Sequence, residues 1–317
     1  MKIPVTIEKA GHGLSYSFCL ADGHGWRFIS CKGLKCWVKK FARILELRAD
    51  ESNSYPKLIF IKMEPGKKEW EGIEGWQDFF KDNKLPRYGW KAQNFSDCRI
   101  WSHGDIEDII LEVNCGDEKL EFFAMRLSLY PVYQRAQEKG GLPFHAALIE
   151  LDGNGILLAA PAETGKSTCC RRLPSCWRVL GDDESLVVRS RDQKYFAHPF
   201  PTWKEHILRR SQRTWDVQQH LPLSLIFFLE HGAPDKAARI GQGEAAAHIY
   251  DSARQVLYRI WHFLGQEEAR LLKRKAFENA GDLARAVPAF MLRVSPDGRF
   301  WEEIEQSLLS VLKLLIF

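Results

Sequence analysis

A lysine, a hydroxyl and two adjacent carboxylates stand at spacings suited to handling a nucleotide triphosphate. The apolar run Ile156 to Ala160 is followed by Pro161-Ala162-Glu163-Thr164 and then Gly165-Lys166-Ser167-Thr168. Binding a triphosphate needs consecutive backbone N–H donors at a helix N-terminus, a lysine reaching the β- and γ-phosphates, and a hydroxyl on Mg2+. Gly165, Lys166 and Ser167 supply those three parts, with Ala162, Glu163, Thr164 and Thr168 completing the cradle. Gly-Lys-Ser alone is a common surface tripeptide. The strand before it and the helix-compatible Cys169 to Leu173 after it favour phosphate binding. The pattern G-x-x-x-x-G-K-[ST] puts glycine at position 160, where this chain has Ala160. That departure restricts the loop only if the position needs positive φ.

Asp182-Asp183 ends the next apolar run, a short helix and strand beyond the lysine. One of the two carboxylates suits Mg2+ and the other suits accepting a proton from an attacking hydroxyl. Taken alone the pair reads as an acidic turn; downstream of a phosphate loop it reads as catalytic. His145 opens the strand that should pair with the one feeding the loop. It has two readings of equal standing, a structural histidine at a strand start or an imidazole near the γ-phosphate. Lys204, Arg209, Arg210 and Arg213 form a basic segment that suits either a solvated helix face or an acidic ligand. His198 and Trp203 suit an acceptor pocket, core packing being the equal rival for Trp203.

The run Phe144-His145-Ala146-Ala147 to Gly165-Lys166-Ser167, followed by Leu180-Gly181-Asp182-Asp183, resembles the C-terminal domain of HPr kinase/phosphorylase. In that family a histidine, the loop and an Asp-Asp pair surround the transferred phosphate. The resemblance therefore implies catalytic roles for His145, Lys166 and Asp182, with ATP and Mg2+ as cofactors and Ser167 and Asp183 holding the metal. The family's E-x-R-G-x-G signature is absent; Tyr195 to Trp203 stands in its place, and the first domain differs. HPr is thus an unexpected substrate. The chain is more similar to the HPr-kinase-like proteins of ribosomal-peptide modification cassettes, such as the SynChlorMet cassette and lasso-peptide kinases. This implies a serine-type kinase acting on a precursor peptide or small protein. HPr-kinase relatives often form hexamers; a homo-oligomer is an open expectation, since the first domains differ. Two rivals stand beside this reading. One is a nucleotide-dependent peptide-binding adaptor without phosphotransfer, kept open by Ala160. The other is a kinase of a free amino acid or other small hydroxyl compound, disfavoured by a first domain large enough to dock a peptide.

These residues need elements to position them, and the expected fold is α/β (α+β). A small mixed domain over 1–138 precedes a phosphate-loop domain over 139–317, with a mixed sheet and a helical C-terminal part. In the first, strands are expected at Leu14 to Leu20 and Lys57 to Met63, and a helix at Leu34 to Leu47. A meander near 98–102, 106–113 and 119–126 follows, its last two strands joined by Asn114-Cys115-Gly116-Asp117. After a helix at Tyr130 to Lys139, the strands 145–151 and 156–160 should pair antiparallel across Asp152-Gly153-Asn154-Gly155. Strands at 177–180, 185–188, 223–229 and 290–294 follow. Helices are expected at 244–264, at 266–280 closed by Gly281, and from Trp301 onward.

Composition excludes several classes. The 317 residues are 45% hydrophobic and 27% charged, enough to bury a core and too balanced for disorder. A net charge of +4 is thin for a nucleic-acid binder. No apolar run reaches the roughly 18 residues of a membrane span, and the first residues lack a signal core, so a cytoplasmic protein without stable membrane insertion is expected. The eight cysteines show no Cys-x-x-Cys pair and are expected to be inert thiols.

Overall fold

The computed structural model describes residues 15–31, 33–49, 55–63, 79–81, 83–116, 118–161, 164–208 and 212–316. The chain divides into two units. The first takes residues up to Cys19, His24–Pro131 and Trp203–Thr214; the second takes Leu20–Gly23, Val132–Thr202 and the chain from Trp215 onward.

In the first unit β1 (Tyr16–Cys19), β2 (Gly25–Ser30), α1 (Lys35–Ile44), β3 (Arg48–Ala49), β4 (Lys57–Lys62), β5 (Trp90–Asn94), β6 (Cys98–His103) and β7 (Ile106–Val113) lead to α2 (Glu118–Leu127). The strands form one mixed sheet in the order β3-β1-β2-β4-β7-β6-β5, with β2, β4 and β7 parallel. Helix α1 spans the β2–β4 crossover and buries Trp37, Val38, Phe41 and Ala42, spaced to share one helix face. Phe41 and Phe60 each lie 5.1 Å from Phe28, ring centre to ring centre, which fixes the helix on the sheet.

The expected hairpin across Asn114 to Asp117 does not form. Residues 119–126 lie within helix α2, and the hairpin partner of β7 is β6, paired through His103↔Ile106. The Asn114 carboxamide accepts the Gly116 N–H at 3.1 Å, closing a local turn. Glu121, Ala124, Met125 and Arg126 are good helix formers, and the alternating look of Leu120 and Phe122 is outweighed.

The second unit contains most of α3 (Tyr130–Glu138), then β8 (Leu142–Phe144), β9 (Ala146–Leu151), β10 (Asn154–Ala159), α4 (Lys166–Arg172), β11 (Arg178–Gly181), β12 (Glu184–Arg189) and β13 (Tyr195–Phe200). The chain then supplies α5 (Trp203–Ile207) to the first unit. It continues with β14 (Leu221–His231), β15 (Lys236–Arg239), α6 (Gln242–Trp261), α7 (Gln266–Ala286), β16 (Ala289–Val294) and α8 (Phe300–Ile316). The sheet runs β11-β9-β10-β14-β13-β12-β8, with β16 pairing β14 and β15. This is the expected α/β (α+β) class, with mixed sheets.

β9 and β10 pair antiparallel from Asn154↔Leu151 to Ala159↔Ala146, as the turn residues require. Asp152 and Gly153 both have positive φ, 49° and 78°, the geometry of a two-residue hairpin turn. β10 and β14 are parallel neighbours, and so are β14 and β16. Alternate residues Ile156 and Leu158, Leu225 and Phe227, and Phe290 and Leu292 join Phe300, Ile304 and Leu308 of α8 in one buried cluster. Period two on the strands and period four on the helix produce that face. On another side of β14, His248 of α6 stacks on Phe228 at 4.8 Å. Gly281 does not close a helix: α7 continues through it to Ala286, and Pro288 follows two residues later. Among the described residues no helix is long and apolar enough to cross a membrane.

Candidate active site

Two strand junctions meet to form the site. β8 and β9 are joined at His145, and β11 and β12 at Asp182-Asp183. β8 pairs with β12 through Phe144↔Ser185, and β9 pairs with β11 through Leu148↔Gly181. The junctions between these paired strands therefore face each other. His145 Nε2 lies 3.0 Å from Asp183 Oδ1 as a result. The Ser185 hydroxyl donates to the Ala146 carbonyl at 3.1 Å and ties the junctions together.

β10 ends beside these junctions in the register of β9 and delivers the loop to α4. Gly165, preceding the helix, has φ +89°, which a side chain rarely tolerates. Ala160 is not among the positive-φ residues, so alanine replaces the pattern's glycine without backbone strain. Thr164 and Ser167 are half-buried and Thr168 is exposed. Ala162 and Glu163 lie outside the described residues. Arg172 anchors α4: its guanidinium donates to the Ser295 carbonyl at 2.9 Å and to that of Gly298.

Lys166 is only 6% exposed, unusual for an ammonium, and donates to the carbonyls of Ala160 at 2.8 Å and Pro161 at 3.3 Å. Burial pushes its pKa down from 10.5 to about 8, against the opposing pull of Asp183, Cys170 and Asp182. Both carboxylates thus act electrostatically on the lysine. Asp182 Oδ1 accepts the Thr202 hydroxyl at 2.8 Å, which orients that carboxylate.

The structure thus gathers His145, Lys166, Asp182 and Asp183. For a divalent cation the donors expected from the sequence are the Asp183 carboxylate and the Ser167 hydroxyl. Among the described residues no group of three or more His, Cys, Asp or Glu could hold a metal. A sparse oxygen set of this kind fits Mg2+, which takes one or two protein ligands and completes its shell with phosphates and water.

Other expected pocket residues fall elsewhere. His198 is fully buried; its Nδ1 donates to the Val217 carbonyl at 2.8 Å and its Nε2 accepts the Ala21 N–H at 3.1 Å. Burial pushes its pKa down to about 3. It clamps two backbone segments together. Trp203 is 1% exposed, packs near Phe41 in the first unit, and is core. Lys204 and Arg213 are exposed in that same unit, while Arg209 and Arg210 lie outside the described residues. All eight cysteines are free, and burial pushes the Cys31 and Cys98 thiols up to about 12.

Sequence reasoning missed three contributors. Gln255 of α6 places Oε1 2.6 Å from His145 Nδ1, and nothing in the spacing announces a partner 110 residues away. Thr202 stands in the noted segment Tyr195 to Trp203, where its link to Asp182 left no local sign. Glu184, 3% exposed, accepts the Tyr133 hydroxyl; its adjacency to the aspartates was the only available signal.

A strand leading into a helix, a buried lysine within the electrostatic reach of two aspartates, and a histidine bonded to one of them make up this arrangement. A family model described as SynChlorMet cassette protein ScmC matches residues 110–310, and the chain belongs to that family. A solved structure of the Hpr(Ser) kinase/phosphatase from Coxiella burnetii is similar at 12% identity and a TM-score of 0.29. That match covers 55% of this chain and 92% of the other. No curated protein matches the sequence.

Proposed function

We propose that this protein is an ATP-dependent kinase that transfers the γ-phosphate to a hydroxyl, that of a serine of a ribosomally made precursor peptide or small protein. The observation that carries the reading is the buried Lys166 ammonium at the β10–α4 turn, with His145, Asp182 and Asp183 gathered beside it. A buried cation with carbonyl partners alone is costly, and an incoming polyphosphate offers it far better ones.

Residues 162–168 would cradle the phosphates of ATP. The Lys166 ammonium exchanges the Ala160 and Pro161 carbonyls for β- and γ-phosphate oxygens. Ser167 and Asp183 would hold Mg2+, which neutralises phosphate charge when bound. Asp182, oriented by Thr202, accepts the acceptor's hydroxyl proton as the new O–P bond forms and the bond between the γ-phosphorus and the bridging oxygen breaks, releasing ADP. His145, bonded through Nε2 to Asp183, holds that carboxylate in place beside the γ-phosphate. Phosphoryl transfer is mostly positioning and charge stabilisation, so few groups suffice.

The reading is tested by turnover. ADP should accumulate with ATP, Mg2+ and precursor peptides encoded beside the gene, and the Asp182→Asn protein should fold, bind ATP and lose orders of magnitude in rate. Near-normal turnover by Asp182→Asn would sink the mechanism. Tight ATP binding without ADP in the wild type would favour the adaptor reading instead.

A further inference from the structure

Helix α6 grips His145 at three points. The His145 N–H donates to the Ser252 carbonyl at 3.3 Å, and the Ser252 hydroxyl donates back to the His145 carbonyl at 3.3 Å. Gln255 Oε1 then meets the ring at Nδ1, 2.6 Å away. Positions 252 and 255 share one face of the helix. The helix is itself fixed by buried Ile249, Ala253, Val256 and Leu257, so the grip comes from a packed element rather than a loop.

With Oε1 facing it, Nδ1 donates, and Nε2 needs its own hydrogen to bond Asp183. Turning the Gln255 amide over presents its NH2 to Nδ1 instead, and a neutral ring then keeps Nε2–H on Asp183. An amide offers both arrangements. An ionised carboxylate offers only the first, and a leucine neither.

We infer that Gln255 is a positioning residue, which holds the His145 ring so that Nε2–H stays directed at Asp183. Its effect on rate rests on the kinase reading; its effect on the ring does not.

The test compares Gln255→Leu and Gln255→Glu in the full chain, after confirming that both melt close to the wild type. Gln255→Leu should lower kcat on the order of 10- to 100-fold, the range for losing a partner that orients a functional histidine. KM for ATP should stay within about twofold. Gln255→Glu should recover most of kcat, since its carboxylate accepts Nδ1–H. Nitrogen-15 NMR of labelled histidine should show Nε2 of His145 protonated in the wild type and a mixture of Nδ1–H and Nε2–H forms in Gln255→Leu. A kcat within about twofold of wild type in Gln255→Leu, or unchanged His145 nitrogen shifts, would overturn the inference. Should the wild type transfer no phosphate, the kinase reading falls while the NMR comparison still decides the role of Gln255.

Discussion

Replacing Lys166 by methionine should make the protein's stability respond differently to pH. Burial holds the lysine near 8 instead of 10.5. At about 1.4 kcal/mol per pH unit, keeping it protonated in the folded state costs about 3 kcal/mol. The sign follows from proton counting. Between the two values the unfolded chain binds the proton more tightly, so folded stability rises with pH. The penalty is complete below about 8, is progressively relieved above it, and is gone above the unfolded value of 10.5. Methionine keeps most of the stem's volume, carries no charge, and forfeits the bonds to Ala160 and Pro161 at every pH. Urea unfolding of both proteins near pH 7 and near pH 10 isolates the proton-linked part, because titrating groups that do not interact with Lys166 cancel in the difference. The wild type should gain about 2 to 3 kcal/mol relative to Lys166→Met between those conditions. A difference that stays constant with pH would refute the placement of a buried, strained ammonium in this loop.

Other outcomes follow from the same geometry. Gly165→Ala forces a side chain into positive φ at about 1 to 2 kcal/mol, and ATP affinity measured by calorimetry should fall roughly 5- to 30-fold while the fold persists. Thr202→Val removes the hydroxyl that orients Asp182, so kcat should drop about tenfold with KM for ATP nearly unchanged. His198 is held neutral, its pKa lowered from 6.5 to about 3; its contribution is intact above 6.5 and drains away as pH falls toward 3. Acid unfolding should accordingly begin as pH drops below about 6, and a His198→Asn protein should be less stable near pH 7 but show a shallower acid dependence.

What the sequence disclosed were the local features. The hairpin at Asp152-Gly153 was legible because only certain residues adopt positive φ in adjacent turn positions. The strand–loop–helix at 156–172 was legible because Gly-Lys-Ser interrupts an apolar run at the right place. The tryptophan and phenylalanine spacing of α1 likewise announced a helix. What stayed hidden depended on distant pairing. β8 and β12 bring His145 to Asp183 through a register set 40 residues along the chain, and Gln255 arrives on a helix still further away. The misreading of 119–126 as a strand has a different cause: alternation over a few residues fits either period, and helix propensity decided the outcome. Gly281 shows the converse, a helix breaker overridden by a long packed helix.

The central claim is phosphate transfer to a peptide hydroxyl at the site formed by Lys166, Asp182, Asp183 and His145. Intact-mass spectrometry of the protein with ATP, Mg2+ and precursor peptides from its own gene neighbourhood tests it most directly. One peptide should gain about 80 Da, the mass of a phosphoryl group, on a serine that fragmentation can locate, and Lys166→Ala should abolish the gain. No mass gain on any peptide, or the same gain with Lys166→Ala, would contradict the account.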